Sequence, residues 1–373
     1  MGGPLHGVRV LDVGSYVSGP YAGQMLADLG AEVIKVESPP AGDPFRHFGR
    51  PGTPVSPIFA NCNRGKASVA PNLRQPAGRA ALLRLVATSD VWLCNWRPGV
   101  ADRLELGDDV LASANDRLIR VYVTGYGADG PMVSSPVFDT IVQATSGLTD
   151  ALSKGDRPVV LPGFPVDKIT AGMVVQACLA ALYARERHGQ GDRVDISMLA
   201  TAAYNGFVEL FANRTFVDGQ PDDPRNYHAI GLRPLRTADG WLVLAPVSGS
   251  AIRQACEVVG HPEWAAELRA ATTQSQLTAS LFDRLESVLP DASTEEWLER
   301  FGANDVPAAR CLTMDEHLAH PQVESQAIYR LVEWDGLGEV RIVRYPAVFG
   351  SYGALAATEA PPAVGVDHDR LLS

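Results

Sequence analysis

Short apolar runs alternate with helix-like stretches through the first 195 residues, and this alternation constrains the fold more than any other feature. The predicted strands are "GVRVLDVG", "AEVIKVE", "VWLCN" and "RLIRVYVTGYG", and the predicted helices between them include "YAGQMLADLG" and "GRAALLRLVATSD". Continuous apolar strands separated by short helices are typical of a parallel sheet covered on both faces. Ligands of such sheets bind beyond the carboxyl ends of the strands, so we expect Gly14, Asn95 and Gly125 near a site.

The second half of the chain predicts a smaller α/β domain. A long helix, "ITAGMVVQACLAALYARERHGQG", is followed by "DRVDISML", and "RTADGWLVLAPV" predicts a hairpin around Asp239 and Gly240. Amphipathic helices are predicted near 250–258, 276–288 and 295–301. We therefore predict a Rossmann-like domain over 1–198, a linker over 199–228 that includes "DGQPDDPRN", a small α/β domain over 229–318, and a segment over 319–373 that returns to the large domain.

Composition narrows the class of partners and the compartment. The formal net charge of −11 argues against binding to nucleic acid or to an anionic membrane, because both require attraction to phosphate. The N-terminus "MGGPLHGVRV" lacks the features of a secretory signal, and no uninterrupted apolar run is long enough to span a bilayer. The five cysteines form no C-x-x-C pair and indicate reduced thiols. These observations predict a cytoplasmic protein.

The stretch "VLDVGSYVSGPYAGQMLADLGAEVIKVE" has the layout of a dinucleotide-binding unit, with Glu37 where a ribose ligand would lie. A dinucleotide fingerprint needs G-x-G-x-x-G/A between strand and helix, so that the backbone can approach the pyrophosphate. Here Gly14 and Gly19 are five residues apart, with Tyr16 and Val17 between them. This loop is too long and too bulky for that turn, and a nicotinamide-dependent oxidoreductase is therefore the third and weakest hypothesis.

Several motifs together resemble the class III CoA-transferases, the CaiB/BaiF or formyl-CoA transferase family. In the family's order they are "VSGPYAGQMLADLGAEVIKVESPPAGDPFR", "NRGKASV", "NWRPGVADRLELG", "RLIRVYVTGYGADGP", "FPVDKITAG" and "RHGQGDRVDISML". The resemblance is dense from residue 6 to about 200 and continues more thinly through "TADGWLVLAPV" and "VPAARCLTMDEHLAHPQV". It implies an acyl-CoA:carboxylate CoA-transferase that forms an interlaced homodimer.

The resemblance makes Asp167 in "FPVDKITAG" the catalytic carboxylate, which would carry the acyl group as an anhydride and then CoA as a thioester. The residues alone favour a different role for Asp167, that of a helix N-cap before "ITAGMVVQACLAAL". Asp139 in "PVFDTIVQA" falls where the family often has a second acid. It would stabilise or position the anhydride, or it is a surface aspartate before a helix.

The resemblance also implies a track for coenzyme A. Backbone groups of Val17, Ser18 and Gly19 would lie along the CoA arm, with Asn95, Trp96 and Arg103 as further contacts. Other candidate phosphate ligands, for which a solvated surface charge is the alternative, are Arg64, Lys66 and Arg74. Acyl-CoA would be a substrate, and no prosthetic group or metal is expected. The pair His317 and His320 has helical spacing but lacks a third metal ligand nearby in sequence.

Departures from the family pattern affect both binding and mechanism. Position 38 is serine where some transferases carry arginine near the adenine, and 205–240 lacks the Gly-rich loop that closes over the site in formyl-CoA transferase. The alternative activity is an isomerase similar to α-methylacyl-CoA racemase, which requires an acid–base pair. Phe138 stands where those enzymes have histidine, and Ser248 falls near their glutamate, so the sequence disfavours racemisation.

Overall fold

The strands of the chain are short, three to six residues in the main sheet. The computed structural model describes residues 2–49, 55–153, 156–209, 214–217, 232–246, 248–271 and 274–372. Its strands are β1 (Arg9–Asp12), β2 (Glu32–Val36), β3 (Ala67–Val69), β4 (Val91–Cys94), β5 (Ile119–Thr124), β6 (Arg193–Ser197), β7 (Leu235–Arg236), β8 (Trp241–Leu244), β9 (Ala308–Arg310), β10 (Tyr329–Trp334), β11 (Gly338–Val343), β12 (Val348–Phe349) and β13 (Gly353–Ala354).

Helices connect the strands of the main sheet and make up most of the second half. They are α1 (Ser18–Asp28), α2 (Pro57–Asn63), α3 (Pro76–Val86), α4 (Val100–Arg103), α5 (Asp108–Ala114), α6 (Asp139–Thr145), α7 (Leu148–Ala151), α8 (Pro165–His188), α9 (Met198–Gly206), α10 (Gly249–Val258), α11 (Trp264–Glu267), α12 (Gln274–Val288), α13 (Thr294–Ala303), α14 (Met314–Leu318), α15 (Pro321–Ser325) and α16 (His368–Leu372).

The six N-terminal strands pair in parallel in the order β3-β2-β1-β4-β5-β6. This is the doubly wound order, whose direction of winding reverses between β1 and β4. Alternate strand residues enter separate cores on the two faces. Val10 packs in the cluster that includes α1 and α8, and its neighbour Leu11 packs in the cluster that includes α3 and α5. The predicted α/β fold with a Rossmann-like parallel sheet is confirmed.

The four quoted strand predictions correspond to β1, β2, β4 and β5, and "DRVDISML" contains β6. Strand β3 was not predicted. It is only three residues long and lies at one edge of the sheet, so its apolar pattern is too short to detect. The predicted hairpin is confirmed as the antiparallel pair β7 and β8, and β9 adds a third strand beside β8.

Two compact units make up the chain. One contains residues 1–205 and 324–373, and the other contains residues 206–323. The second unit has its own core, formed by β7, β8 and the helices α10, α12 and α13. The predicted domain boundaries stay predictions. Much of the predicted linker, including all of "DGQPDDPRN", lies outside the described residues. The same is true of half of 205–240, the stretch that was compared with the Gly-rich loop of formyl-CoA transferase.

Helix α8 is the longest helix among the described residues. By length and composition alone it could cross a membrane, because it has 24 residues and contains an 18-residue window with a mean hydropathy of 1.3. No uninterrupted apolar run of that length was found in the sequence. A core helix of a soluble protein passes the same test. In this chain α8 packs against α1, α6, β5 and β6, and residues such as Val174 and Cys178 are fully buried there.

Candidate active site

Two cavities lie at the carboxyl ends of the strands, where the winding of the sheet reverses. The strand-end cavity has a volume of about 660 Å³, and its lining includes Gly14, Ser15, Glu37, Ser38, Arg74, Trp96, Val100 and Arg103. The aspartate cavity has a volume of about 350 Å³, and its lining includes Ser15, Tyr16, Ser18, Asn95, Trp96, Arg97, Val100, Tyr126, Phe138 and Asp167. Because Ser15, Trp96 and Val100 line both, the cavities adjoin and form one cleft.

The loop after β1 forms the floor of this cleft, and buried polar side chains hold its backbone. Asp12 Oδ1 accepts a hydrogen bond from the Gly14 N–H (3.0 Å), and Lys35 Nζ donates to the Gly14 carbonyl (2.9 Å). Asn95, at the end of β4, binds both backbone groups of Ser15: its Oδ1 accepts from the N–H (2.9 Å) and its Nδ2 donates to the carbonyl (2.8 Å). The neighbouring strands therefore fix the path of the loop.

A buried ion network lies under the loop and under α1. Lys66 Nζ donates to Asp12 Oδ2 (2.7 Å), the Pro20 carbonyl (2.8 Å) and Asn63 Oδ1 (2.9 Å), which accounts for all three ammonium protons. Burial alone would raise the pKa of Asp12, but the charges of two nearby lysines outweigh it and hold that pKa below its ordinary value. At Gly23 a Cβ atom would lie 3.1 Å from Lys66 Nζ, which is tighter than an ordinary contact, so a side chain there would crowd the network.

Tyr16 adopts an unusual backbone conformation at the mouth of the cleft. Its φ of 65° lies in the left-handed region that side chains other than glycine rarely occupy. Two aromatic rings hold it in place by edge contacts, Phe45 at 5.2 Å and Phe138 at 5.4 Å between centroids, and Asp43 Oδ1 accepts from its N–H at 3.3 Å. Such strain is typical of a site whose geometry is fixed by its surroundings.

Asp167 lies in the first turn of α8 and lines the aspartate cavity. The alternative interpretation of Asp167 as a helix N-cap is wrong. Helix α8 begins two residues earlier, at Pro165, its N-cap is Phe164, and no side chain caps it. The half-buried Asp167 carboxyl instead accepts hydrogen bonds from the backbone N–H and hydroxyl of Ser18. Because α1 has no acid in its own first turn, the carboxylate of Asp167 supplies the negative charge that this helix N-terminus favours.

Asp139 forms a hydrogen bond with the same turn of α8. Its Oδ2 accepts from the backbone N–H of Asp167 (2.9 Å), and its Oδ1 accepts from Gln143 Nε2 (2.6 Å). Asp139 is only 2% exposed. The alternative interpretation as a surface aspartate is therefore wrong, and the structure brings the two predicted acids together.

This environment makes Asp167 an unusual carboxylic acid. Burial is the largest cause and the negative charge of Asp139 is the next, and together they raise the pKa of Asp167 to about 7. The hydrogen bonds from Ser18 oppose this rise without cancelling it. A carboxyl group with this pKa changes its charge near neutral pH and can serve as a nucleophile or as a general base.

The four predicted phosphate cations occupy two different environments. Arg74 and Arg103 are exposed and line the strand-end cavity. Arg64 is 3% exposed, and its Nη2 donates to both carboxylate oxygens of Asp28 (2.9 and 2.8 Å) while its Nε donates to the Ala357 carbonyl. Lys66 belongs to the buried network. The geometry therefore supports a ligand role for Arg74 and Arg103 and gives none to Arg64 and Lys66.

Only some of the other predicted CoA contacts line the cleft. Ser18, Asn95 and Trp96 line the aspartate cavity, whereas the side chain of Val17 packs with buried aromatic rings in the interior. Gly19 lies against Asn95, where an added Cβ atom would be 3.5 Å from that side-chain amide carbon. This is an ordinary van der Waals distance, so the packing of the loop on Asn95 does not itself require glycine at position 19.

Glu37 lies at the rim of the strand-end cavity but is fully engaged by the protein. Arg46 donates to both of its carboxylate oxygens (2.8 and 2.6 Å), and the Ser68 hydroxyl and the Asp43 N–H also donate to it. A ribose hydroxyl would have to displace one of these buried partners. The geometry therefore does not favour the dinucleotide interpretation.

Two residues of the site did not emerge from the sequence. Gln143 is fully buried and contacts Asp139, and Arg97 is exposed and lines the aspartate cavity. Gln143 follows Asp139 by four residues, which places the two on one face of a helix, so the spacing was available as a signal. Arg97 lies within the quoted motif "NWRPG", but its side chain has no distinguishing pattern.

Comparison with known proteins agrees with this geometry. A family model described as CoA-transferase family III matches residues 5–368. Rv3272 of Mycobacterium tuberculosis, a probable fatty acyl-CoA transferase, is 34% identical over 97% of this chain and 95% of its own. A crystal structure of an aspartate-to-alanine mutant of Rv3272 has a TM-score of 0.85 at 33% identity and covers 100% of this chain and 99% of that one.

Two further relatives extend the comparison. A succinyl-CoA:D-citramalate CoA-transferase of Chloroflexus aurantiacus is 33% identical over 91% of this chain and 86% of its own. The crystal structure of a CaiB/BaiF family protein from Brucella suis has a TM-score of 0.84 at 27% identity and covers 100% of this chain and 99% of that one. The chain therefore belongs to CoA-transferase family III, a class of enzymes that act on CoA thioesters.

Proposed function

We propose that this chain transfers CoA from an acyl-CoA to a carboxylic acid, with Asp167 as the nucleophile. The observation that carries this proposal is the position of the Asp167 carboxyl, which lies in a cavity adjoining the strand-end cavity and accepts hydrogen bonds from Ser18. A carboxylate nucleophile suits CoA transfer because it divides one transfer into reversible acyl exchanges of similar energy.

Each step exchanges one bond for another. The Asp167 carboxylate attacks the thioester carbon, the C–S bond breaks, and CoA leaves as a thiolate while a mixed anhydride forms. The thiolate attacks Cγ of Asp167, which releases the acyl carboxylate and leaves an aspartyl-CoA thioester. The acceptor carboxylate then attacks Cγ of this thioester, the C–S bond breaks, and CoA leaves again as a thiolate while a second mixed anhydride forms. The thiolate attacks the acceptor carbonyl carbon of that anhydride, which gives the acyl-CoA of the acceptor and releases the Asp167 carboxylate. Asp167 is regenerated, and no net proton, electron or water is consumed.

Ser18 would stabilise the charge that develops in these steps. Its backbone N–H and hydroxyl are the donors that lower the pKa of Asp167, and they would bind the oxyanion when Cγ is attacked. The N-terminus of α1 adds its partial positive charge at the same point. The buried partners of the loop keep these donors in position without reorganisation during the reaction.

A covalent trap tests this proposal. After incubation with acyl-CoA, hydroxylamine or borohydride should modify the peptide that contains Asp167, and mass spectrometry would identify the residue. Omission of acyl-CoA is the control. An unmodified Asp167 across a panel of dicarboxylic, branched, aromatic and fatty acyl-CoA esters would refute the nucleophile.

CoA would bind with its nucleotide in the strand-end cavity and its thioester in the aspartate cavity. A volume of about 660 Å³ is within the usual range for a ligand site. Trp96 lines both cavities and offers a flat ring along the path. The side chains of Arg74 and Arg103 have no ion-pair partner among the described residues, and they are the proposed phosphate ligands.

Replacement of Arg74 or Arg103 by methionine should weaken CoA binding. Loss of one charged hydrogen bond to phosphate should raise the Kd for CoA roughly 10- to 100-fold. Isothermal titration would measure the affinity, and urea unfolding should show an unchanged midpoint because both side chains are exposed. Arg187→Met, at the far end of α8, is the matched control and should bind CoA normally. Unchanged affinity in both variants would place the phosphates elsewhere.

The acyl and acceptor groups are proposed only as a class, carboxylic acids. Of the relatives named above, one is a succinyl-CoA:D-citramalate CoA-transferase, and Rv3272 is described as a probable fatty acyl-CoA transferase. In this chain the acyl group would enter the aspartate cavity beside Val137, Phe138 and Met198.

Racemisation remains the alternative activity, but Phe138 and Ser248 do not provide the acid–base pair that it requires. Phe138 is 55% exposed and lines the aspartate cavity beside Asp167, where a racemase-like histidine would have to act. The Ser248 hydroxyl caps α10 by accepting from the Ala251 N–H at 3.1 Å. Incorporation of deuterium at the α-carbon of an acyl-CoA without an acceptor acid would support the isomerase.

We also propose a cytoplasmic homodimer that binds neither membrane nor nucleic acid. The dimer is supported by the family and by the exposed apolar side chains of α8, such as Leu179 and Tyr183, at 38% and 65% exposure. Sedimentation equilibrium at twice the mass of one chain would support the dimer, and the mass of a single chain would refute it.

A further inference from the structure

Gln143 occupies a position that the proposed chemistry has not used. Its side chain is fully buried, yet it makes three hydrogen bonds. Nε2 donates to Asp139 Oδ1 (2.6 Å) and to the Leu161 carbonyl (3.2 Å), and Oε1 accepts from the Leu161 N–H (2.9 Å). A buried amide with satisfied donors and acceptor has one stable orientation, so it can determine the geometry of its partners.

These bonds join α6 to the segment that leads into α8. Leu161 lies four residues before the first residue of α8, and the amide of Gln143 holds both of its backbone groups. Asp139, held by the same amide, accepts from the Asp167 N–H. The start of α8 is therefore fixed at two points, and both depend on Gln143.

The hydrogen bonds also fix the position of the Asp139 carboxyl. Asp139 has a strong donor on each oxygen, the amide of Gln143 on Oδ1 and the N–H of Asp167 on Oδ2. A carboxyl held on both oxygens cannot rotate without breaking one of these bonds. Because the negative charge of Asp139 is one cause of the raised pKa of Asp167, the position of Asp139 also affects that proton.

Other titratable groups lie near the two acids, but among the described residues they form no ion pair with them. The remaining titratable groups that line the aspartate cavity or lie beside the pair on α1 and α8 are Tyr16, Tyr21, Asp28, Arg97, Tyr126 and Lys168. Within the described part of the chain, none of them forms an ion pair with Asp139 or Asp167. Asp28 is itself paired with Arg64.

We propose that Gln143 is a positioning residue: it holds the Asp139 carboxyl beside Asp167, and it orients the first turn of α8. This inference rests on the proposed role of Asp167 as nucleophile. It assigns to Asp139 a role in placing and repelling the Asp167 carboxyl, without contact with the substrate.

The Gln143→Met variant tests the proposal, because methionine has similar volume and cannot donate. In the wild type, a pKa of about 7 at Asp167 should lower kcat/KM about tenfold between pH 8 and pH 6. In Gln143→Met the Asp139 carboxyl loses the bond that holds it beside Asp167, so its repulsion weakens and more Asp167 stays ionised at pH 6. The same drop should therefore shrink to about two- to threefold. At pH 8, kcat should fall roughly 10- to 100-fold through lost orientation, with KM for acyl-CoA changed less than about twofold.

A double-mutant comparison separates this role from mere support of the fold. Asp139→Asn alone should also reduce the drop between pH 8 and pH 6, because it removes the neighbouring charge. Gln143→Met added to Asp139→Asn should change that drop no further, since Gln143 acts on the proton through Asp139. Thr145→Val, on the exposed side of α6, is the control and should keep the wild-type profile.

The outcomes distinguish the two proposals. A tenfold or larger drop in Gln143→Met, or an added effect in the Asp139→Asn background, would overturn the inference about Gln143. If the wild type also forms no adduct at Asp167, the proposed function fails instead. An adduct in the wild type together with an unchanged profile in Gln143→Met would leave the function standing and reject the positioning role alone.

Discussion

Replacement of Asp167 by asparagine is expected to reduce CoA transfer by roughly four to six orders of magnitude, as is typical when a covalent nucleophile is removed. The amide lacks the anionic oxygen that attacks the thioester, so neither the anhydride nor the aspartyl-CoA thioester can form. Binding of acyl-CoA should persist within about threefold, because the proposed phosphate ligands are untouched. The measurements are the initial rate of CoA transfer and the Kd for acyl-CoA.

The shape and polarity of asparagine make this substitution a clean test. Asp150→Asn, at an exposed position on α7, is the matched control and should retain full activity. Transfer by Asp167→Asn at a tenth or more of the wild-type rate would contradict the nucleophile, since an amide cannot serve in its place.

The same variant should be more stable than the wild type above neutral pH. Because the pKa of Asp167 rises from 3.8 to about 7 on folding, the folded state holds this proton more tightly than the unfolded state does. The wild type therefore loses stability as pH rises from about 4 to 7, and Asp167→Asn does not. Allowing for partial exposure, we expect a gain of roughly 1–2 kcal/mol at pH 8 and none at pH 4, measured by urea unfolding.

Replacement of Lys66 by methionine is expected to have the largest effect on stability. It would leave Asp12 with one fewer buried cation and would leave the Pro20 carbonyl and Asn63 without their donor. Removal of one partner from a buried ion pair costs about 3–5 kcal/mol. Urea unfolding should show this loss of stability. CoA affinity should fall only to the extent that the substitution disturbs the loop after β1, which lies over the network.

Arg74→Met provides the contrast that separates a structural cation from a ligand. That variant should lose CoA affinity with no change in the free energy of unfolding. Lys66→Met should instead show a large loss in the free energy of unfolding and a small change in CoA affinity. If Lys66→Met kept its unfolding midpoint but lost CoA binding by tenfold or more, the sequence-based assignment of Lys66 as a phosphate ligand would be correct after all.

Much of the fold was predictable because it depends on local pattern. Buried parallel strands are continuous apolar runs, so β1, β2, β4 and β5 were visible, and the strand ends indicated where a site would lie. The edge strand β3 was missed, since three residues give no period. The start of α8 was placed too late, at Ile169, because Pro165 and Asp167 were assigned to a preceding loop or cap.

The roles of the cations could not be predicted from sequence. The sequence does not distinguish a cation that faces a cavity from one that pairs with a buried acid. Each of four cations was therefore proposed as a phosphate ligand: Arg64, Lys66, Arg74 and Arg103. Whether a cation faces a cavity or a buried acid depends on distant residues, such as Asp28 for Arg64 and Asp12 for Lys66, which lie 36 and 54 positions away. Pairing at that separation is decided only when the sheet and helices pack.

The sequence by itself indicated the parallel α/β sheet, the family and the two candidate acids, Asp167 and Asp139. The sheet follows from the periodicity of the chain, and the family and the acids follow from the resemblance of its motifs and their order. Only the tertiary structure decided how those acids differ. It buried Asp139 against Gln143, placed Asp167 at the N-terminus of α1 beside Ser18, and raised the pKa of Asp167 to about 7. The physical reason is that burial and Coulomb repulsion depend on distances across the fold, which residue order alone does not contain.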